Sequence, residues 1–169
     1  MTVKSILVPT DFSELSDAAV LYATDMARTF GARLYLLHVP EKTGENVEAN
    51  FPVGQFETAA RARLGALLRP KDIERLRPEY VVRIGTPAHE IVRYADARDV
   101  DLIVMGTHGR SGVAHLLMGS VAEQVVRTAP CPVLLVRHPK GAVVTGQEAA
   151  VPAADAARLR TGVPVSPCY

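Results

Sequence analysis

Three glycines and a serine, set at Gly106, Gly109 and Gly119-Ser120, form the pattern in this chain best suited to chemistry. They follow Leu102-Ile103-Val104-Met105, a continuous apolar run of the kind that makes a buried strand. Glycine lets a backbone pass close to a ligand, and the N–H groups of a helix start have no partner inside the helix. A strand, a glycine-rich loop and a helix beginning near Gly119-Ser120 therefore predict a cradle for phosphate. The intervals are not those of a Walker loop, since no Gly-Lys-Ser/Thr occurs, nor those of the G-x-G-x-x-G dinucleotide fingerprint. The plain alternative is that the glycines only shape a tight strand-to-helix connection. Arg110 could pair with a phosphate or be a solvated loop arginine. His108 and His115 lie nearby, but a loop histidine is more often merely exposed, so no catalytic residue is assigned.

A cradle of this kind needs a sheet to present it. Ser5-Ile6-Leu7-Val8-Pro9 reads as a first central strand. Phe12, Leu15, Ala19, Tyr22, Met26 and Phe30 then recur at helical spacing up to Gly31. Leu34–Val39 is a second strand closed by Pro40, which makes a βαβ unit with a right-handed crossover. Glu41–Asn50 is polar and aperiodic, a loop. Phe56, Ala60, Leu64, Leu67 and Leu68 mark a second helix ending at Arg69-Pro70, and the charged Lys71–Arg77 stretch reads as a surface connection. Tyr80–Ile84, closed by Gly85, is a third strand. Thr86-Pro87 has the order of an N-cap followed by a first-turn proline, opening a helix with Ala88, Ile91, Val92 and Ala95 inward. The Leu102 strand, a Gly119–Ala129 helix and a Pro132–Arg137 strand complete the pattern. Five strands alternating with four helices predict one doubly wound α/β domain over residues 1–138. Residues 139–169, rich in Ala, Gly, Pro and Val, read as an appendage.

Composition narrows the function classes. A length of 169 residues suits one domain, and a net charge of +1 gives no broad footprint for nucleic acid or an anionic membrane. There is no tryptophan and few aromatics, which disfavours a base-stacking platform. No apolar run is long enough to span a bilayer, no signal-peptide core is visible, and Cys131 and Cys168 form no metal or redox spacing. The cytoplasm, with both thiols reduced, is the expected location. Cys131, between two prolines, is expected to be a packing residue, His38 a hydrogen-bonded core residue, and His89 a residue of its helix's first turn.

The intervals G-x2-G-x9-G-[ST] at Gly106, Gly109 and Gly119-Ser120, together with Pro9-Thr10-Asp11-Phe12-Ser13 after the first strand, resemble the ATP-binding branch of the universal stress protein family. The resemblance spans roughly Thr2 to His138. It implies a five-stranded parallel sheet of order 3-2-1-4-5, like that of the adenine nucleotide alpha hydrolases, with a crevice between strands one and four. It also implies roles. Asp11 and the backbone of Val39 would hold the adenine end of ATP, with Pro9 and Thr10 beside them. Gly106 and Gly109 would approach ribose and phosphates, with Met105, His108 and Arg110 in the same binding set. Gly119, Ser120 and Val121 would offer N–H groups to the phosphates, and Ser120 its hydroxyl. Mg²⁺ or Mn²⁺ would arrive with the nucleotide, held mainly by phosphate and water. Asp11 with Glu14 also fits a capping box, and Ser120 an N-cap, so each has a structural alternative.

The resemblance further implies a homodimer through Val133, Leu134, Leu135 and Val136, an apolar sheet edge of the sort proteins usually cover. Three functions follow: a regulatory ATP-binding homodimer of the stress response with an unidentified protein partner, a slow ATPase or nucleotide-transfer enzyme, or a nucleotide-free scaffold dimer. The glycine signature favours the first over the third. Neither a P-loop lysine nor a Ser-Gly-Gly-x-Asp-Ser motif supports the second.

Overall fold

The computed structural model describes residues 2–40, 53–107 and 119–137. All of these fall within the unit Met1–Pro139. The order of elements is β1 (Ser5–Pro9), α1 (Glu14–Phe30), β2 (Arg33–His38), α2 (Val53–Ala66), α3 (Pro70–Leu76), β3 (Glu79–Val82), α4 (Pro87–Ala97), β4 (Leu102–Gly106), α5 (Ser120–Thr128) and β5 (Val133–Val136). The strands form one parallel sheet in the order β3-β2-β1-β4-β5. This doubly wound arrangement is the expected one. The helices among the described residues number five, however, where four were expected.

Alternation along the central strands sends side chains to both faces, which is why β1, β2 and β4 read as unbroken apolar runs. Ile6, Val8, Leu34, Leu36 and Val104 pack on one face with Ala19, Ala23 and Ala27 of α1 and Leu64 of α2. Leu7, Leu37, Ile103 and Met105 pack on the other with Ile91 and Ala95 of α4 and Val125 of α5. Each fully buried leucine contributes on the order of 1.5–3 kcal/mol.

Two local expectations are corrected. In α1 the expected Ala19 is buried, and Met26, like Phe12 just before the helix, packs against the core, but the buried face is otherwise Val20, Ala23, Thr24 and Ala27, whereas Tyr22 and Phe30 are half exposed. Both stripes have helical spacing, and the small alanines let the helix lie close to the sheet. In the Lys71–Arg77 stretch there is a helix and not a surface connection. Pro70 opens it at the first-turn position, where its missing N–H costs nothing. Ile73 and Leu76 pack against the core, and Asp72 is buried.

Asp72 fastens α3 to α1. Its carboxylate takes Arg69 Nε at 2.8 Å and Arg28 at 3.3 Å, while Arg28 also pairs with Asp25. Asp72→Ala leaves two partly exposed guanidiniums that water can reach, so the expected loss is about 1–3 kcal/mol, well below that of an abandoned buried charge. A urea midpoint that does not move would remove this role. At the sheet's amino end, Asp101 accepts the N–H groups of Lys4 and Ser5 and the Ser5 hydroxyl at 2.8–3.0 Å. The Lys4 N–H bond and the Ser5 hydroxyl hold its carboxyl below the usual range.

The α4 start has Thr86 as N-cap and Pro87 first, as expected, although the Thr86 side chain makes no capping bond. Strand β3 lies slightly earlier than predicted, leaving Ile84 half exposed. Among the described residues no helix is long and apolar enough to cross a membrane. Residues 41–50 and the appendage at 139–169 lie outside the described residues.

Candidate functional site

The chain runs outward from β1 through β2 to β3, then crosses back to β4 on the other side of β1 and on to β5. Winding reverses between β1 and β4, so the loops leaving these two strands diverge and open a crevice at their carboxyl ends. β1 and β4 pair as Ile6 with Leu102 and Leu7 with Ile103. That register, carried forward, sets Pro9 beside Met105 at the crevice floor.

The wall after β1 is held by a latch of polar groups. Thr10 donates its N–H to Leu37 carbonyl at 2.9 Å, and its own carbonyl lies 2.9 Å from His38 Nδ1. The buried Thr10 hydroxyl accepts the Phe12 N–H at 3.0 Å and lies 2.8 Å from the Ser16 hydroxyl. Phe12 takes a left-handed backbone (φ 61°), a conformation costly for a side chain of its size. Its ring rests on His38 at 4.4 Å and beneath Arg63 at 3.9 Å, which offsets part of that cost. His38 is thus the hydrogen-bonded core residue expected.

Asp11 follows directly, half buried, with Oδ1 accepting both the Ser13 N–H at 3.0 Å and the Ser13 hydroxyl at 2.6 Å. The N-cap of α1 is Ser13, whose Oγ accepts the Ser16 N–H at 3.3 Å. The capping-box alternative for Asp11 is therefore corrected: Asp11 orients the cap and is not itself the cap. Val39 follows β2 and is buried.

Across the crevice, Met105 is buried and Gly106 pairs with Val136. Thr107 then uses both backbone groups. Its N–H goes to Val136 carbonyl at 3.1 Å, and its carbonyl accepts the Gly119 N–H at 2.7 Å. The two ends of the segment 108–118 are thereby pinned together. This corrects one expectation: the Gly119 N–H already has a partner in the protein. Gly119 is the N-cap of α5 and Ser120 its first residue, so Ser120 is not the cap either. The first bond of α5 runs from Glu123 N–H to Gly119 carbonyl. The N–H groups of Ser120 and Val121 precede it, and Gly119 at the cap position has no side chain to offer them. His108, Gly109, Arg110 and His115 lie outside the described residues.

The crevice is electrically lopsided. On the β1 side stand Asp11, Glu14 and Asp17. Burial, then the charges of Asp11 and Glu14, push the Asp17 carboxyl upward, and its Oδ1 is buried with no hydrogen-bond partner. On the β4 side the positive end of α5 faces out. A ligand with a hydrogen-bond-donating end and an anionic end fits in one direction only. The latch residues Ser16 and Thr107 were not anticipated. Each is a buried polar side chain, and the polar neighbours Ser13, Glu14 and Asp17 of Ser16, like His108 beside Thr107, left no signal of burial in the sequence.

Comparison with known proteins agrees with this geometry. Residues 2–137 match the model of the universal stress protein family. A universal stress protein of Methanocaldococcus jannaschii, MJ0531, is 36% identical over 149 residues, covering 81% of this chain and 84% of that protein. The solved structure of MJ0577, another universal stress protein of that organism, superposes with a TM-score of 0.68 at 30% identity, over 82% of this chain and 99% of that one. A universal stress protein solved in complex with cAMP superposes with a TM-score of 0.55 at 26% identity, over 80% and 98%. On the sheet order, the glycine-bearing crevice and these matches, the chain belongs to the universal stress protein family.

Proposed function

We propose that this chain binds ATP in the β1–β4 crevice and acts as a regulatory homodimer of the stress response. The observation carrying the proposal is the start of α5, where the N–H groups of Ser120 and Val121 precede the first helical bond beside the point of strand reversal. The phosphates lie at these N–H groups and the Ser120 hydroxyl, with Gly106, Gly109, His108 and Arg110 along the same loop. The adenine end lies toward Asp11 and Val39, with Pro9, Thr10 and Met105 beneath. The exocyclic amine of adenine is a donor and suits the acidic side, whereas phosphates suit the helix start. The relative solved with cAMP supports an adenine nucleotide in this family.

Among the described residues no three His, Cys, Asp or Glu side chains cluster to hold a metal, so Mg²⁺ or Mn²⁺ would sit on phosphate oxygens and water. The dimer forms through β5, the sheet edge. Leu134 there is 38% exposed, large for an apolar side chain at a strand centre. The absence of a cysteine-pairing pattern supports a reducing compartment such as the cytoplasm.

Mass spectrometry of small molecules released from heat-denatured, freshly purified protein is expected to return an adenine nucleotide. ATP at one hundred times its Kd is expected to stabilise the fold by about 2.7 kcal/mol, read as a rise in melting temperature. No released nucleotide and no rise would leave the scaffold reading in its place. Phosphate release above background would move the assignment to the enzyme reading.

A further inference from the structure

At the opposite end of the sheet from the crevice lies a groove of about 800 Å³, within the size range of small-molecule sites. It is walled by the carboxyl ends of α1, α3 and α4 and by the starts of β1, β2 and β3. Among the described residues six basic and three acidic side chains line it, a formal +3 in a chain whose net charge is +1.

The ordinary explanation is that cations gather at helix carboxyl ends to meet the dipoles. Arg28 is met by Asp25 and Asp72, which stand outside the lining, so the remaining described side chains carry +2. Three helix ends of roughly −0.5 charge each offset most of that, and what sets the groove apart is which of its cations lack an acidic partner.

The pairing of the side chains divides these cations into two sets. Arg28 is held by Asp25 and Asp72, and Arg98 by Glu79. Among the described residues, Lys4, Arg33, Arg75 and Arg77 have no carboxylate within ion-pair distance. Arg33 reaches only the Tyr35 hydroxyl, at 3.2 Å. Asp101, also in the lining, takes two backbone N–H groups and the Ser5 hydroxyl at its Oδ2.

The backbone holds these groups in an unusual way. Arg77 and Asp99 both take left-handed conformations (φ 47°), and both line the groove. Glycine or asparagine commonly occupies such a position at a helix end, yet at the end of α3 there is an arginine.

We propose that this groove is a second, anion-binding site that takes a small, multiply charged phosphate ligand. Guanidinium forks match phosphate oxygens in pairs, and unpaired forks from α3 and β2 border a single concavity. Tyr35 is the one aromatic side chain in the lining and is buried at 2% exposure, so no ring is presented for stacking a base. The ligand is recognised by its charge and not by a nucleobase. β1 spans the two sites, with Ser5 in the groove and Pro9 at the crevice, roughly 13 Å apart at the usual rise per residue.

The test is a titration of ¹⁵N-labelled protein with inorganic tripolyphosphate at 150 mM salt, where exposed, unfocused charge is largely screened (Debye length about 8 Å). Amide shifts at Gly31, Ala32, Arg33 and Asp99 are expected to saturate together. The double variant Arg75→Gln/Arg77→Gln, both exposed positions, is expected to weaken this binding by roughly ten-fold or more while the melting temperature holds. Ser120→Pro, which alters the crevice, is expected to leave it unchanged. Shifts that vanish at this salt, ignore the double variant, or disappear with Ser120→Pro alone would each overturn the proposal. ATP added to the Ser120→Pro variant distinguishes a free polyphosphate from one carried on a nucleotide: shifts at the same four amides identify the latter as a ligand too.

Discussion

Replacing Ser120 with proline is expected to leave the fold intact and lower ATP affinity by roughly ten-fold or more. Ser120 is the first residue of α5, the position that best tolerates proline because its N–H has no helical partner. A residue before proline must be extended, and Gly119 already is, at φ −72° and ψ 153°. The substitution therefore removes one N–H donor and one hydroxyl from the proposed phosphate site with no rearrangement of the helix. Ser120→Ala keeps the N–H and loses only the hydroxyl, and its affinity is expected to fall between the two. Calorimetric titration with ATP, beside a thermal melt of each variant, gives the comparison. Equal affinity in wild type and the proline variant would take the phosphates away from α5.

Leu134→Glu is expected to convert the proposed dimer to a monomer. Leu134 lies on the edge strand, paired on one side with Val104 of β4. Its 38% exposure means that a charge there disturbs the monomer little. In the proposed dimer two such charges would meet across the symmetry axis with no solvent to separate them, and association should weaken by two orders of magnitude or so. Light scattering at micromolar concentration measures it. A wild-type monomer, or a variant that remains dimeric, would remove β5 from the interface.

The succession of elements was largely legible because parallel strands buried on both faces are apolar throughout, and β1 matches its expected limits, Ser5–Pro9; the strand order came from the family resemblance, since apolar runs do not say which strands pair. The misses have physical causes. α3 has few apolar residues, Ile73 and Leu76 among charges, so periodicity was faint and Pro70 looked like an end instead of a beginning. On α1 the alanine face and the exposed Tyr22 and Phe30 share one period, and only packing distinguishes them. At the site, residue types were legible and their hydrogen-bond partners were not. Thr10 finds Leu37 and His38, and Gly119 finds Thr107, only after the sheet has brought distant segments together. The charge concentration in the amino-end groove was hidden for the same reason: Lys4, Arg33 and Arg77 are far apart in the chain, and a near-neutral total conceals them.

The bond between Thr107 carbonyl and Gly119 N–H makes a socket out of the two ends it joins. The end of β4 and the start of α5 are thus tied together on either side of positions 108–118. If ATP binds as proposed, changes of length or composition between those ends would retune ligand preference without altering the Thr107–Gly119 bond. Exchange of this segment between relatives is thus a natural route for carrying ligand preference from one chain to another.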